Sequence, residues 1–287
     1  MKDVSDNDIK NNFPLAAAKN ETHKTVVKIG GVEVGGTRLA VFAGPCAIEN
    51  EGQVVDIARA VKKAGAVVLR GGAYKPLTFP YRNDKMYELG EQGLKFMRAA
   101  GDETGLPICT EVVDVRLVDQ VAKYADVLQV GARNMQNFPL LQEVGKTGKV
   151  VLLKRHFGAG LRDWLGAAEY ILHTGNKNVI LCERGVVAPH THAVTSRFIV
   201  DLQVIPAVRE YSHLPVIVDP SHATFRRRYV APIARAGIAV GADGIIIDVH
   251  PKPEEAAVDP LQALNYEAFG ALMGELRGVG QVLGRTL

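Results

Sequence analysis

Cysteine is scarce in this chain, and the three present, Cys46, Cys109 and Cys182, are odd in number and far apart. That argues against a disulfide framework and fits a reducing, cytoplasmic setting. An excess of either charge is also missing: 34 Lys and Arg face 31 Asp and Glu, a net +3. So small a surplus does not mark a nucleic-acid or membrane-surface binder, and any positive site must be local. No apolar run is long enough to span a bilayer. Residues 1–20 hold only the short run Leu15-Ala16-Ala17-Ala18, which is not the apolar stretch of a secretory leader. Linkers, low-complexity tracts and composition shifts are absent too, so nothing marks a second domain. What remains is ordinary: 47% apolar, 23% charged and 6% aromatic residues, a composition that excludes general disorder and allows a large core. The 287 residues fit one α/β barrel, which commonly needs about 250.

Eight short runs rich in Val, Ile and Leu recur along the chain, each closed by Gly, Pro or polar residues and followed by a helix-like segment. They are 39–46, 67–72, 107–112, 127–132, 150–155, 179–183, 215–219 and 244–250. Between them, stretches such as 52–64, 87–104 and 193–210 return apolar residues every three or four positions, the period of an amphipathic helix. Near-continuous apolar strands alternating with helices imply a parallel sheet with a covered outer face, and eight such units predict closure into a (β/α)8 TIM barrel. The rival, an open doubly wound sheet, wants a Gly-rich phosphate loop after its first strand, where this chain has Ala43-Gly44-Pro45-Cys46. Upstream, Thr25–Ile29 and Val32–Val34 flank Gly30-Gly31, a hairpin signal suited to capping the barrel bottom. The expected division is an arm over 1–24, loose at its start, and a catalytic barrel with its hairpin over 25–287.

Barrel chemistry sits at the C-terminal strand ends, and here those ends are consistently reactive. In order they carry Cys46; Arg70 and Lys75; Glu111; Arg133; Lys154 and Arg155; Glu183 and Arg184; Asp219 and His222; Asp248 and His250. Each alone has a plain structural explanation: a packed thiol, a surface ion pair, an Asp-Pro turn. Eight strand ends converging on one mouth are harder to dismiss. Arg70, Lys75, Arg133, Lys154 and Arg184 together demand a multiply anionic ligand, with phosphate plus carboxylate the natural candidate. Cys46, His222, Asp248 and Asp259 offer sulfur, imidazole and two carboxylates from distant parts of the chain. That set suits a catalytic divalent metal, Mn, Fe, Co or Zn, better than Mg or Ca.

Several longer stretches carry a family resemblance: Ala43-Gly44-Pro45-Cys46, Leu69-Arg70-Gly71-Gly72-Ala73-Tyr74-Lys75-Pro76, residues 129–137 (QVGARNMQN), Leu153-Lys154-Arg155, Cys182-Glu183-Arg184-Gly185, Asp219-Pro220-Ser221-His222-Ala223 and Val249-His250-Pro251. From about Thr25 to Leu264 the chain resembles the 3-deoxy-D-arabino-heptulosonate 7-phosphate (DAHP) synthases, of the type shared with 3-deoxy-D-manno-octulosonate 8-phosphate synthases. The resemblance implies metal ligands at Cys46, His222, Asp248 and Asp259. It implies phosphoenolpyruvate contacts at Arg70, Lys75, Ala132, Arg133, Lys154 and Arg184, with Lys75, Cys46 and His222 catalytic. The acceptor, an aldose or aldose phosphate, would meet Pro76, Thr78, Asp259 and Arg227. A homotetramer or homodimer is the implied assembly, with no nucleic acid or membrane partner.

The chain departs from the family in instructive places. Asp248 stands where Glu is usual, one methylene shorter. Leu77-Thr78 replaces the Arg-Thr or Arg-Ser pair that holds the acceptor phosphate, and 186–190 (VVAPH) replaces an apolar-Arg-Thr-Phe run. The loop 156–160 (HFGAG) is also rewritten. The donor half is therefore expected to be intact, while the acceptor is either erythrose 4-phosphate or a different aldose, with Arg226, Arg227 and Arg228 as candidates for a replacement anion site. His190 and His192 form a His-X-His pair whose plainer reading is a solvent-facing loop. Two rival readings remain: an octulosonate-type synthase and a barrel that binds phosphoenolpyruvate or a sugar phosphate without turnover.

Overall fold

The computed structural model of the chain describes residues 6–75, 88–188 and 197–287. A short hairpin, β1 (Val27–Ile29) and β2 (Val32–Val34), precedes eight parallel strands: β3 (Ala40–Gly44), β4 (Val68–Arg70), β5 (Ile108–Glu111), β6 (Val127–Val130), β7 (Val150–Lys154), β8 (Val179–Glu183), β9 (Val216–Val218) and β10 (Gly244–Asp248). The eight close on themselves, with β10 pairing both β9 and β3. Every predicted strand is found, the run over 179–183 at full length and the other seven trimmed at one or both ends. The trimmed ends, such as Cys46, Gly72, Arg155 and His250, leave the ladder to shape the mouth.

The helices that wrap the barrel are α2 (Glu51–Ala64), α3 (Glu91–Thr104), α4 (Val118–Tyr124), α5 (Phe138–Lys146), α6 (Leu161–Leu172), α7 (Val204–Tyr211), α8 (Pro220–Thr224), α9 (Arg227–Ala239) and α10 (Tyr266–Val282); α1 (Asp6–Asn12) lies upstream. Helix α2 shows the local logic. The Asn50 side chain accepts from the Gln53 amide at its start, Val54, Ile57, Ala58 and Val61 form the buried stripe, and Gly65 at φ 111° ends it in the left-handed region. One predicted helix is overextended. The 193–210 periodicity yields only Val204–Tyr211, because Val186 and Ile199 form a bridge and the Phe198 amide donates to the Ala223 carbonyl. Those tertiary bonds override the local pattern; residues 193–196 lie outside the described part.

Two apolar layers result. Outside, strand side chains meet the helices around Trp164, which is fully buried and donates from Nε1 to the Leu153 carbonyl at 3.2 Å. Inside, Phe42, Val68, Val127, Ile180, Ile217 and Ile246 fill the barrel and meet Val27, Ile29 and Val34 of the hairpin. The hairpin thus plugs the end opposite the strand C-termini, as its sequence suggested. No helix among the described residues is long and apolar enough to cross a membrane.

The arm is less loose than expected. The amides of Leu15 and Ala16 donate to the Glu169 carboxylate, and Ala17 bridges to Ser212. The His213 ring spans Thr25 Oγ1 and the Leu15 carbonyl, each at 2.7 Å, and stacks on His23. Burial holds this imidazole below the usual histidine value, with the Leu15 carbonyl opposing and His23 adding to the depression. The unfolded arm is then the first to take up the proton. This tether is intact above the unfolded value of about 6.5 and weakens as pH falls through it. Limited proteolysis within 15–25 is expected to accelerate on acidification from about pH 7.5 to about pH 5.5, and to lose that dependence in His213→Phe.

Candidate active site

Cys46, His222, Asp248 and Asp259 converge beyond the C-terminal ends of the strands, with one ligand atom from each lying within 4.8 Å of all the others. Cys46 follows β3, where Gly44 lets the chain pass the Arg70 carbonyl; a methyl there would collide with that oxygen. Asp248 ends β10. His222 sits in α8, whose N-cap Asp219 accepts from the His222 amide at 2.9 Å. Asp259 belongs to the loop after β10 and holds a left-handed backbone, φ 53°, rare for a residue with a side chain.

The imidazole is oriented by its neighbours. Nδ1 meets Asp219 Oδ2 at 2.9 Å, which turns Nε2 toward Cys46 Sγ at 3.7 Å and Asp259 Oδ2 at 3.8 Å. A carboxylate behind a histidine whose other nitrogen faces a ligand cluster is the usual second layer of a metal site. Asp219 is itself fully buried and ion-paired with Lys154 at 2.5 Å. Despite its burial, His222 and Lys154 hold its carboxyl well below the usual range. Asp248 is gripped by Arg70 at 2.7 Å and by Gln262 Nε2 at 2.5 Å. Its shorter side chain still reaches the cluster.

The donor set fits a divalent cation. Burial, then the carboxylates of Asp248 and Asp259, push the Cys46 thiol up against the lowering by Lys75 and Arg70. A bound cation is the charge that reverses this balance and favours the thiolate. One thiol, one imidazole and two carboxylates, their ligand atoms all within 4.8 Å of one another, suit Mn, Fe, Co or Zn. Lys75 donates from Nζ to Cys46 Sγ at 2.9 Å. Burial opposes its charge, but Cys46 and Asp259 outweigh that and hold the ammonium.

Beside the cluster opens a cavity lined by Arg70, Lys75, Arg133, Lys154, Arg184 and Arg197, with Ala132, Gly131, Glu111, Gln129, His222, Val258 and Asp259. All six residues predicted to hold the donor therefore share one wall system. Arg184 is 7% exposed, yet its Nη1 has no hydrogen-bond partner. Burial lowers its pKa, as do Arg197 and Arg133, with Asp219 opposing. Its backbone is set by Glu183, fully buried, which pairs with Arg155 at 3.0 Å and accepts from the Gly185 amide at 2.7 Å.

The acceptor-side expectations fare differently. Asp259 lies in the cavity wall. Arg227 is turned instead to Glu254 at 2.6 Å and to the Pro260 carbonyl; neither it nor Arg226 or Arg228 lines the cavity. Pro76, Leu77, Thr78, His190 and His192 lie outside the described residues. Strand-end reasoning passed over Arg197 and the roles of Asp219 and Gln262 behind the ligands. The Asp-Pro start of α8 was the available signal for Asp219.

The comparisons with known proteins agree with this geometry. Residues 16–281 match the DAHP synthetase I family. The chain is 42% identical over 272 residues to the phospho-2-dehydro-3-deoxyheptonate aldolase of Thermotoga maritima, covering 95% of this chain and 79% of that one. It is 28% identical over 278 residues to the 2-dehydro-3-deoxyphosphooctonate aldolase of Geobacter sulfurreducens, covering 90% and 98%. A solved truncated form of 3-deoxy-D-arabino-heptulosonate 7-phosphate synthase from Thermotoga maritima superposes with a TM-score of 0.89 at 41% identity, covering 96% of this chain and 99% of that one. With its closed barrel, its four converging ligand atoms and its cationic cavity, the chain belongs to the DAHP synthetase I family.

Proposed function

We propose that the protein is a phosphoenolpyruvate-dependent transferase of the DAHP synthase type. It would condense phosphoenolpyruvate with an aldose phosphate, erythrose 4-phosphate being the first candidate, to give a 3-deoxy-2-ulosonate phosphate and inorganic phosphate. The observation that carries this is the adjacency of a Cys46-His222-Asp248-Asp259 cluster and a cavity with six cationic side chains. Identity of 42% to a heptonate aldolase, against 28% to an octonate aldolase, favours the four-carbon acceptor.

In this reading Arg133, Lys154 and Arg184, with the backbone at Ala132, hold the phosphate and carboxylate of the donor and fix carbon 3 against the aldehyde. Arg70 braces Asp248 and contributes positive potential on the donor side. Cys46, His222, Asp248 and Asp259 would hold a divalent cation, which would supply Lewis acidity toward the acceptor carbonyl. Carbon 3 forms the new bond to the aldehyde carbon, and Lys75 delivers a proton to the resulting alkoxide oxygen. Water adds at the cationic carbon 2 and loses a proton. The carbon–oxygen bond to phosphate then breaks, leaving the ketone. Residues 25–287 form the catalytic barrel in this proposal and 1–24 its arm, in a cytoplasmic homo-oligomer.

Phosphate release from phosphoenolpyruvate is expected only with an aldose phosphate present, to cease with EDTA and to return with excess Mn. Release that ignores chelation, or none with any four- or five-carbon aldose phosphate, sinks the proposal.

A further inference from the structure

One arginine in the cavity is left over once the donor contacts are assigned. Arg197 lies in the loop after β8 and lines the cavity. Its Cζ stands 5.3 Å from the Phe198 ring centroid and 5.4 Å from that of Phe225. Among the described residues its side-chain contacts are with these two rings and not with a carboxylate. Arg70 and Lys154 contrast with it, being matched by Asp248 and Asp219. The Arg184 guanidinium rests on the same Phe198 ring at 4.3 Å, buried and with Nη1 unpartnered. Two guanidiniums on one ring disfavour each other, and the electrostatic effect of Arg197 on Arg184 has that sign. An entering anion relieves this repulsion, and Arg197, outside the set assigned to the donor, is the guanidinium left for a second one.

The position is built into the fold. Phe198 donates its amide to the Ala223 carbonyl at 3.0 Å, and Ile199 exchanges backbone bonds with Val186. Arg197 is thereby rooted on the segment that carries His222. Gly185, at φ 94°, makes room: a Cβ there would lie 2.6 Å from the Phe198 Cβ. Arg197 lines the same cavity as Asp259 and His222 of the ligand cluster. It therefore shares a wall with the ligand cluster as well as with Arg184. The neighbouring arginines are engaged elsewhere, Arg227 by Glu254 and Arg228 against the Tyr229 ring.

We propose that Arg197, cradled by Phe198 and Phe225, anchors the phosphate of the aldose acceptor and so determines acceptor specificity. This rests on the condensation proposed above, and a binding measurement separates the two. Calorimetry on the Mn-loaded protein with erythritol 4-phosphate, which has no aldehyde to react, should show binding that Arg197→Gln weakens by at least about tenfold and Arg197→Lys partly restores. Phosphoenolpyruvate affinity should stay within about twofold in both variants, because its anions have other partners. In turnover, Arg197→Gln should raise KM for erythrose 4-phosphate and shrink its advantage over unphosphorylated erythrose by the same factor. Equal binding of erythritol 4-phosphate by Arg197→Gln and wild type overturns the assignment, as does a wild type that fails to bind it. A loss of phosphoenolpyruvate affinity instead would move Arg197 to the donor. If the phosphate ester binds through Arg197 while no aldose supports phosphate release, the acceptor anchor stands and the condensation falls.

Discussion

Cys46→Ala is expected to lose both metal and turnover while keeping its fold. Replacing an outer partner of a metal ligand typically weakens binding ten- to a hundredfold, so removing a ligand should cost at least about a hundredfold in affinity, with kcat/KM falling by a similar factor. The thiol is a small buried group, and alanine leaves only a small void, worth about 1 kcal/mol. Its unfolding midpoint should therefore stay within a few degrees of wild type. Atomic emission after dialysis against Mn, beside a thermal melt, checks both halves. A variant that keeps its metal and its rate would show that sulfur is not a ligand. Cys109 and Cys182 make a built-in comparison: both are buried, burial pushes both thiols up, to about 12 for Cys109, and neither reaches the cluster.

The second large effect concerns stability. Glu183 is fully buried and receives Arg155 and the amides of Gly185 and Asp201. In Glu183→Ala the Arg155 guanidinium, 5% exposed, keeps only Asp201 and the Ala159 carbonyl, and two amides lose their acceptor. Breaking such a buried pair costs about 3–5 kcal/mol, an unfolding midpoint lower by roughly 10 °C. Glu183→Gln keeps an acceptor for the amides and should fall between the two. Because Gly185 and Arg184 follow directly, the alanine variant should also bind phosphoenolpyruvate more weakly. A melt that matches wild type would mean the network relaxes without cost.

The barrel was legible because its strands are buried on both faces. Runs such as Val150–Lys154 and Val179–Glu183 carry no polar interruption and can be little else at that length. The four residues of the candidate metal cluster were picked out in the sequence, three by their place at strand ends and Asp259 by its match to the family, and the fold brings them together. What escaped was set by bonds between distant segments. Arg197 sits in no motif and follows β8 by more than a dozen residues, so only the backbone bonds to Val186 and Ala223 bring it to the cavity. The helix predicted over 193–210 begins only at Val204 for the same reason: Phe198 and Ile199 have the right period for a helix but find better partners across the chain. Arg227 shows the converse. Its place in an arginine triplet suggested an anion site, while Glu254 had already claimed it.

The two carboxylates of the cluster differ in how freely their positions can change over generations. Asp248 ends a strand in ordinary extended backbone, which any residue with a side chain adopts, and the spacing to Arg70 and Gln262 is the main constraint. Asp259 occupies a left-handed conformation that, glycine aside, asparagine and aspartate tolerate best. Exchange for glutamate would strain the loop before the carboxylate found the ion. Variation among descendants of this sequence should therefore accumulate at the first position, and where Asp259 does change, asparagine is the replacement its backbone admits.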